Sequence, residues 1–254
     1  MTLLEIRDLS KSFGGLQAVN GVSFDTGAGS ITGLIGPNGA GKTTIFNLIT
    51  GNFPADAGTV SLDGTSLLGK PTHRIVSLGV ARTFQTIRLF QNLSVLENVL
   101  AGCHCRMRSG LLGGILRLPS GRREEKEAVA CALGELEFVG LRACADMPAK
   151  NLSHGNQRLL EIARATASRP RLVILDEPAG GMNEQETSAL IGLIRAIQHR
   201  NITVLLIEHD MNLVMRSCER IVVLDNGRVI AEGPPEEVKA DRNVIQAYLG
   251  AEED

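Results

Sequence analysis

The sequence predicts an α/β fold built on a parallel sheet, and three observations carry that prediction. Late in the chain come three short apolar runs, "RLVILD", "ITVLLIE" and "RIVVLD", separated by helix-like segments near Glu184 to His199 and Asp210 to Ser217. Runs this apolar suit strands covered on both faces, as in a parallel sheet flanked by helices. Earlier, "SITGLIG" reads as a strand running into a glycine-rich loop and then a helix from about Lys42. Between Phe84 and Ala165 strand signals are lacking and the pattern is mostly helical, so a helical insertion into the α/β core is expected.

Taken in order, "LLEIRDL", "VSFDTGAG" and "TVSLDGT" read as short N-terminal strands bounded by turn residues. In the helical middle, "RMRSGLLGGILRLPSGRR" is loop-rich and basic, a solvated surface by its charge. In "LSHGNQRLLEIARA", Leu152 to Ala165, the spacing of Leu159, Leu160, Ile162 and Ala163 predicts a helix, with Ser153 at its N-cap. No internal repeat or low-complexity segment is visible in the sequence.

With 254 residues and 43% hydrophobic content, the chain can bury a substantial core in one large domain, with or without an inserted subdomain. The opening "MTLLEIRDLS" has acids where a signal peptide has basic residues. No apolar run reaches the roughly 18 to 20 residues that cross a bilayer, so a soluble, cytoplasmic chain is expected. A net charge of -2 supplies no global field for nucleic acid. Cys103, Cys105, Cys131, Cys144 and Cys218 form no framework and suit a reducing compartment. "CHC" at Cys103 to Cys105 lacks the two-residue gap and second ligand pair of structural zinc sites, so free thiols are expected.

The sharpest chemical signal is "GPNGAGKTT": Gly36, Pro37, Asn38, Gly39, Ala40, Gly41, Lys42, Thr43 and Thr44. It satisfies G-x-x-x-x-G-K-[ST] between a predicted strand and a predicted helix. Glycines let backbone wrap closely around phosphates, successive N–H groups point inward, and the helix start adds positive potential. Lys42 is expected to reach the β- and γ-phosphates, Thr43 to put its hydroxyl on Mg²⁺, and Thr44 to support the α-phosphate side. A nucleoside triphosphate ligand follows.

"RLVILDEP", Arg171 to Pro178, supplies the acids. A buried strand delivers Asp176 to the metal, and Glu177 just beyond it can accept a proton from, or orient, the water that attacks the γ-phosphate. Alone, such a pair is usually a turn or cap; beside a phosphate loop its functional reading prevails.

Ser153 and His154 could suggest a hydrolytic pair, but no oriented carboxylate partner is evident and adjacent residues do not aim at one another as a triad requires. A serine at a helix start, followed by Gly155 and free backbone N–H groups, instead forms an anion site. The phosphate loop, "LSHGNQ", "ILDEP" and "IEHD" together resemble the nucleotide-binding subunits of ATP-binding cassette (ABC) transporters over nearly the whole chain. "LSHGN" falls where that family carries Leu-Ser-Gly-Gly-Gln, so Ser153 and Gly155 match while His154 and Asn156 depart.

The resemblance implies a P-loop NTPase (RecA-like) core with a parallel sheet, an N-terminal antiparallel β subdomain and an inserted helical subdomain. The expected division is 1–84 and 166–235 as core, 85–165 as helical subdomain and 236–254 as a C-terminal helical tail. It also implies ATP and Mg²⁺ as cofactors, with the ATP on one phosphate loop covered by Ser153 and Gly155 of a partner in a homodimer or heterodimer. Phe13 matches the aromatic that stacks on adenine, Gln85 the glutamine near Mg²⁺ and the attacking water, and His209 the histidine that bonds the γ-phosphate. Asn183 stands where many relatives have Asp, and His154 is expected to face outward.

"RTFQTIRLFQNLSVLENVL", "EPAGGMN", "LLIEHDMNLVM" and "VIQAYLG" resemble, within that family, the ATPases of branched-chain amino acid importers. Urea, amide, aromatic-acid and lipopolysaccharide-export systems are similar enough to stay open as alternatives, as is a soluble ABC ATPase acting on nucleic acid. The expected partners are a homologous ATPase, transmembrane permease subunits met through "TIRLFQNLSV", and indirectly a substrate-binding receptor. Nucleic acid is not expected, and the expected location is the inner face of the cell membrane. A kinase would share the phosphate loop without explaining "LSHGN" or His209; Glu177 argues against a module that never turns over.

Overall fold

The computed structural model describes residues 1–106 and 119–249. Most of the basic stretch from Arg106 to Arg123 lies outside them. Two sheets organise the chain. β1 (Thr2–Phe13), β2 (Leu16–Gly27), β4 (Ala57–Leu62) and β5 (Thr65–Ser66) form an antiparallel sheet in the order β2-β1-β4-β5. The second sheet runs β10-β9-β3-β8-β7-β6, from β3 (Ile31–Ile35), β6 (Val80–Arg82), β7 (Leu172–Asp176), β8 (Thr203–Ile207), β9 (Arg220–Asp225) and β10 (Arg228–Gly233). Its pairs are parallel except β9 with β10, which adds an antiparallel edge.

Each apolar run proves two-faced. Leu34, Leu172, Ile174, Leu205, Ile207, Val222 and Leu224 join one cluster with the antiparallel sheet and with helix α1 (Lys42–Ile49). The alternate residues Ile35, Val173, Leu175, Val204, Leu206, Ile221 and Val223 join a second cluster on the other face. There they meet α6 (Glu184–His199), α7 (Met211–Ser217), α8 (Pro235–Ala240) and α9 (Arg242–Leu249). α2 (Thr72–Ser77) precedes β6. Truncating one of these buried leucines or isoleucines to alanine costs about 2–5 kcal/mol.

A third cluster holds the helices of the middle segment: α3 (Val95–Cys103), α4 (Pro119–Phe138) and α5 (His154–Ala167). α3 begins with a capping box between Ser94 and Glu97. Phe138 and Leu193 touch both the second and third clusters, so the helical layer is fastened to the core rather than separate from it. The sequence pattern missed β6 and β10, which are short or half exposed.

Candidate functional site

Strand register gathers the site. In the sheet Ile207 lies opposite both Leu34 and Asp176, so the segments just past β3, β7 and β8 emerge together at one sheet edge. Ligands of open α/β sheets bind beyond such carboxyl ends.

The first segment is the loop Gly36 to Gly41. Gly36 has φ 149° and Gly41 φ 102°, and a side chain at either would collide with backbone, the carbonyl oxygens of Leu224 and Ala18 respectively. Glycine is needed at both for close packing as well as for dihedral freedom. Pro37 is half-buried, Asn38 and Gly39 are exposed, and Ala40 is buried with its carbonyl accepting from Gly227 N at 3.1 Å. Lys42 folds over the loop, its Nζ donating to the carbonyls of Gly36 at 2.6 Å and Pro37 at 2.9 Å. Burial pulls the Lys42 pKa below the ordinary lysine value, opposed by the charges of Glu177 and Asp176. Thr43 is exposed and Thr44 half-buried at the start of α1.

The second segment carries the acids. Asp176 is 3% exposed; its Oδ2 accepts from Arg82 Nη2 at 2.8 Å and its backbone N–H donates to Thr83 Oγ1 at 3.2 Å. Glu177 sits at φ 47°, in the left-handed region, held there by its N–H donating to the Ile207 carbonyl at 3.0 Å. Its Oε2 accepts from Gln85 Nε2 at 2.9 Å and lies 4.0 Å from His209 Nδ1. Gln85, Glu177 and His209 therefore converge, with Gln85 and His209 exposed.

Phe13 closes the β1–β2 hairpin, 42% exposed, edge-on to Phe53 with ring centroids 5.3 Å apart. Lys11 Nζ lies 5.4 Å from the Phe13 ring. Ala18 of β2, whose carbonyl bounds Gly41, fixes this hairpin beside the loop.

Ser153 and Gly155 stand apart in the helical layer. Ser153 is exposed and caps α5, accepting from Asn156 N at 3.3 Å. Gly155 is half-buried against Glu186. His154 is exposed, and its ring edge faces Gly181. Asn183 caps α6 in a reciprocal box with Glu186, both bonds 2.9 Å.

Three further side chains hold the site. Arg158 of α5 is buried, donates to the backbone carbonyls of Phe84 and Gln85, and pairs with Glu161 at 3.3 Å. Arg82 pairs with Asp176 and donates to Asn47 Oδ1 of α1 at 2.8 Å. Glu208 is 1% exposed; burial pushes its pKa up, against backbone N–H groups that pull it down. Charged residues on the apolar phase of α5 were the available signal for Arg158 and Glu161. For Glu208 it was an acid at the end of an apolar strand.

A glycine-built turn between strand and helix, with acids at the carboxyl end of a strand two places along the same sheet, defines the phosphate-loop class of nucleotide-binding protein. The sequence profile described as "ABC transporter" matches residues 19–180, and that of the branched-chain amino acid ATP-binding cassette transporter matches 228–254. The high-affinity branched-chain amino acid transport ATP-binding protein BraF of Pseudomonas aeruginosa is 45% identical, covering 98% of each chain. LivG of Escherichia coli K12, of the same description, is 46% identical over the same shares. Among solved structures, the ADP conformation of an ATP-binding cassette of an ABC transporter, MJ1267, superposes with a TM-score of 0.86 at 33% identity, over 98% of this chain and 99% of that one. The chain belongs to the ABC transporter family of ATP-binding proteins.

Proposed function

We propose that this chain is the ATP-binding and ATP-hydrolysing subunit of a transporter for branched-chain amino acids. The cargo reading is supported by BraF and LivG, both named for that transport, and by the matching C-terminal profile. The observation that carries the chemistry is the convergence of Gln85, Glu177 and His209 beside the phosphate loop.

Backbone N–H groups of Gly36 to Gly41 and the Lys42 ammonium hold the β- and γ-phosphates, with Thr44 on the α-phosphate side. Phe13 takes the adenine face, with a ring that is partly exposed beside the loop. Thr43 Oγ1, an Asp176 oxygen and the Gln85 side-chain amide oxygen are hard oxygen donors that suit Mg²⁺, and Arg82 engages only one Asp176 oxygen. When bound, Mg²⁺ offsets charge on the β- and γ-phosphate oxygens. Glu177 accepts a proton from water as its oxygen bonds to the γ-phosphorus, while the bond to the β-phosphate oxygen breaks and ADP leaves. Gln85 orients Glu177 and the water; His209 donates to a γ-phosphate oxygen.

Ser153 and Gly155 bind the γ-phosphate held by a partner cassette, either a second copy or a homologue. The exposure of Ser153 at the start of α5, between Leu152 and Leu159 of the helical cluster and away from the cluster around α1, supports that reading. ATP then favours a closed pair because its γ-phosphate touches both subunits, and hydrolysis reopens it. The functional division is 1–84 with 166–235 as core, 85–165 as helical subdomain and 236–254 as tail. The helical subdomain passes closure to permease subunits on the cytoplasmic face of the membrane. No described helix is long and apolar enough to cross a membrane itself. A reconstituted complex with its permeases and receptor should take up leucine, isoleucine or valine with ATP; uptake of none of them, with another solute carried instead, overturns the cargo.

A further inference from the structure

Glu208 performs none of the steps above, yet it is nearly as withdrawn from water as any residue of the apolar core. A carboxyl group buried to that degree is costly unless its oxygens are satisfied. Here they are satisfied by two different segments: Oε1 accepts from the Ala179 N–H at 2.8 Å, and Oε2 from the His209 N–H at 3.3 Å. His209 Nδ1 also lies 4.0 Å from Oε2.

Ala179 anchors the turn that leads from Glu177 into α6. The Gly180 N–H returns to the Glu177 carbonyl at 3.2 Å and the Met182 N–H to the Ala179 carbonyl at 2.9 Å, so the whole turn hangs from that point. The Oε1 bond joins the two segments, and the Oε2 bond to the adjacent N–H fixes the His209 backbone relative to that carboxylate. Two oxygens on one rigid carbon thereby fix the separation of the Ala179 and His209 N–H groups.

We propose that Glu208 is a positioning residue that ties His209 to the loop following Glu177, so that the γ-phosphate contact and the placement of that loop change together. The inference rests on the hydrolytic reading above. It predicts that cutting the tie lowers turnover far more than it loosens ATP, because His209 makes one γ-phosphate contact while the loop from Gly36 to Lys42 makes the rest.

Glu208→Gln keeps the size of the side chain but sets an amide N–H against a backbone N–H, so the bonds to Ala179 and His209 cannot both persist. Glu208→Asp keeps both acceptors on a shorter stem. Turnover, KM for ATP and thermal midpoint are measured on the full chain for both, with Glu177→Gln as reference. The expected result is a kcat about tenfold lower for Glu208→Gln, the scale of a small misplacement of reacting groups. Its KM for ATP should stay within about twofold, its midpoint should stay near the parent's, and Glu208→Asp should recover part of the turnover. The inference is overturned by an unchanged kcat in Glu208→Gln, or by losses that track the midpoint equally in both variants, as purely structural support would give. Full turnover in Glu177→Gln would instead overturn the hydrolytic reading; an inactive Glu177→Gln beside a fully active Glu208→Gln removes this inference alone.

Discussion

Gln85 Nε2 donates a 2.9 Å hydrogen bond to Glu177 Oε2, joining the segment that follows β6 to the carboxylate just beyond β7. Glu177→Gln replaces the acceptor of a water proton with an amide of the same shape. Turnover should fall by about 10²–10⁴, the usual contribution of a general base, while ATP binding persists. An ATP-dependent dimer on a sizing column is the accompanying sign; unchanged turnover would strip Glu177 of its role.

Lys42 spans the phosphate loop, its ammonium on the carbonyls of Gly36 and Pro37. Lys42→Ala should weaken ATP binding about tenfold or more, since hydrogen bonds to charged groups contribute about 1.5–3 kcal/mol. Calorimetric titration with ATP checks this, and an unaltered Kd would place the phosphates elsewhere.

Glu161→Ala leaves the buried Arg158 guanidinium without its partner carboxylate. Breaking a buried pair from one side costs about 3–5 kcal/mol, read as a lower denaturant midpoint. Burial raises the Glu161 pKa despite its two arginine neighbours. A carboxyl whose folded pKa exceeds its unfolded value loses stability as pH rises through that interval. Stability above the ordinary glutamate pKa should therefore depend less on pH in Glu161→Gln than in the parent.

Asn183 accepts from Glu186 N and donates its own N–H to the Glu186 carboxylate. Asn183→Ala should cost about 1 kcal/mol through loss of this cap, whereas Asn183→Asp should preserve it. Equal thermal midpoints for all three proteins would count against the capping box.

Cys218 is buried, and burial pushes its thiol pKa up to about 12. Since the thiolate is the nucleophile, iodoacetamide near neutral pH should leave Cys218 unmodified until the chain unfolds. Modification of the native protein at that residue would contradict its burial.

Much of the fold was legible because its signals are short-range. Apolar runs announced β3, β7, β8 and β9, and the glycine pattern announced the loop that β3 feeds. The small strands β6 and β10 were not legible, since three residues in one case and a half-exposed edge in the other leave little periodicity. The convergence of Gln85, Glu177 and His209 came from resemblance, not pattern, because the three are far apart in sequence. The supporting bonds of Arg158 and Glu208 go to backbone atoms of distant segments, and backbone leaves no trace in side-chain order.

The left-handed backbone of Glu177 has a thermodynamic consequence. A non-glycine residue so held carries strain of about 1–3 kcal/mol, yet its carboxylate cannot be supplied by the one residue that would relax it. Glu177→Gly should melt at a higher temperature than Glu177→Ala while being equally inert. At this single position, then, selection for durability and selection for turnover pull in opposite directions.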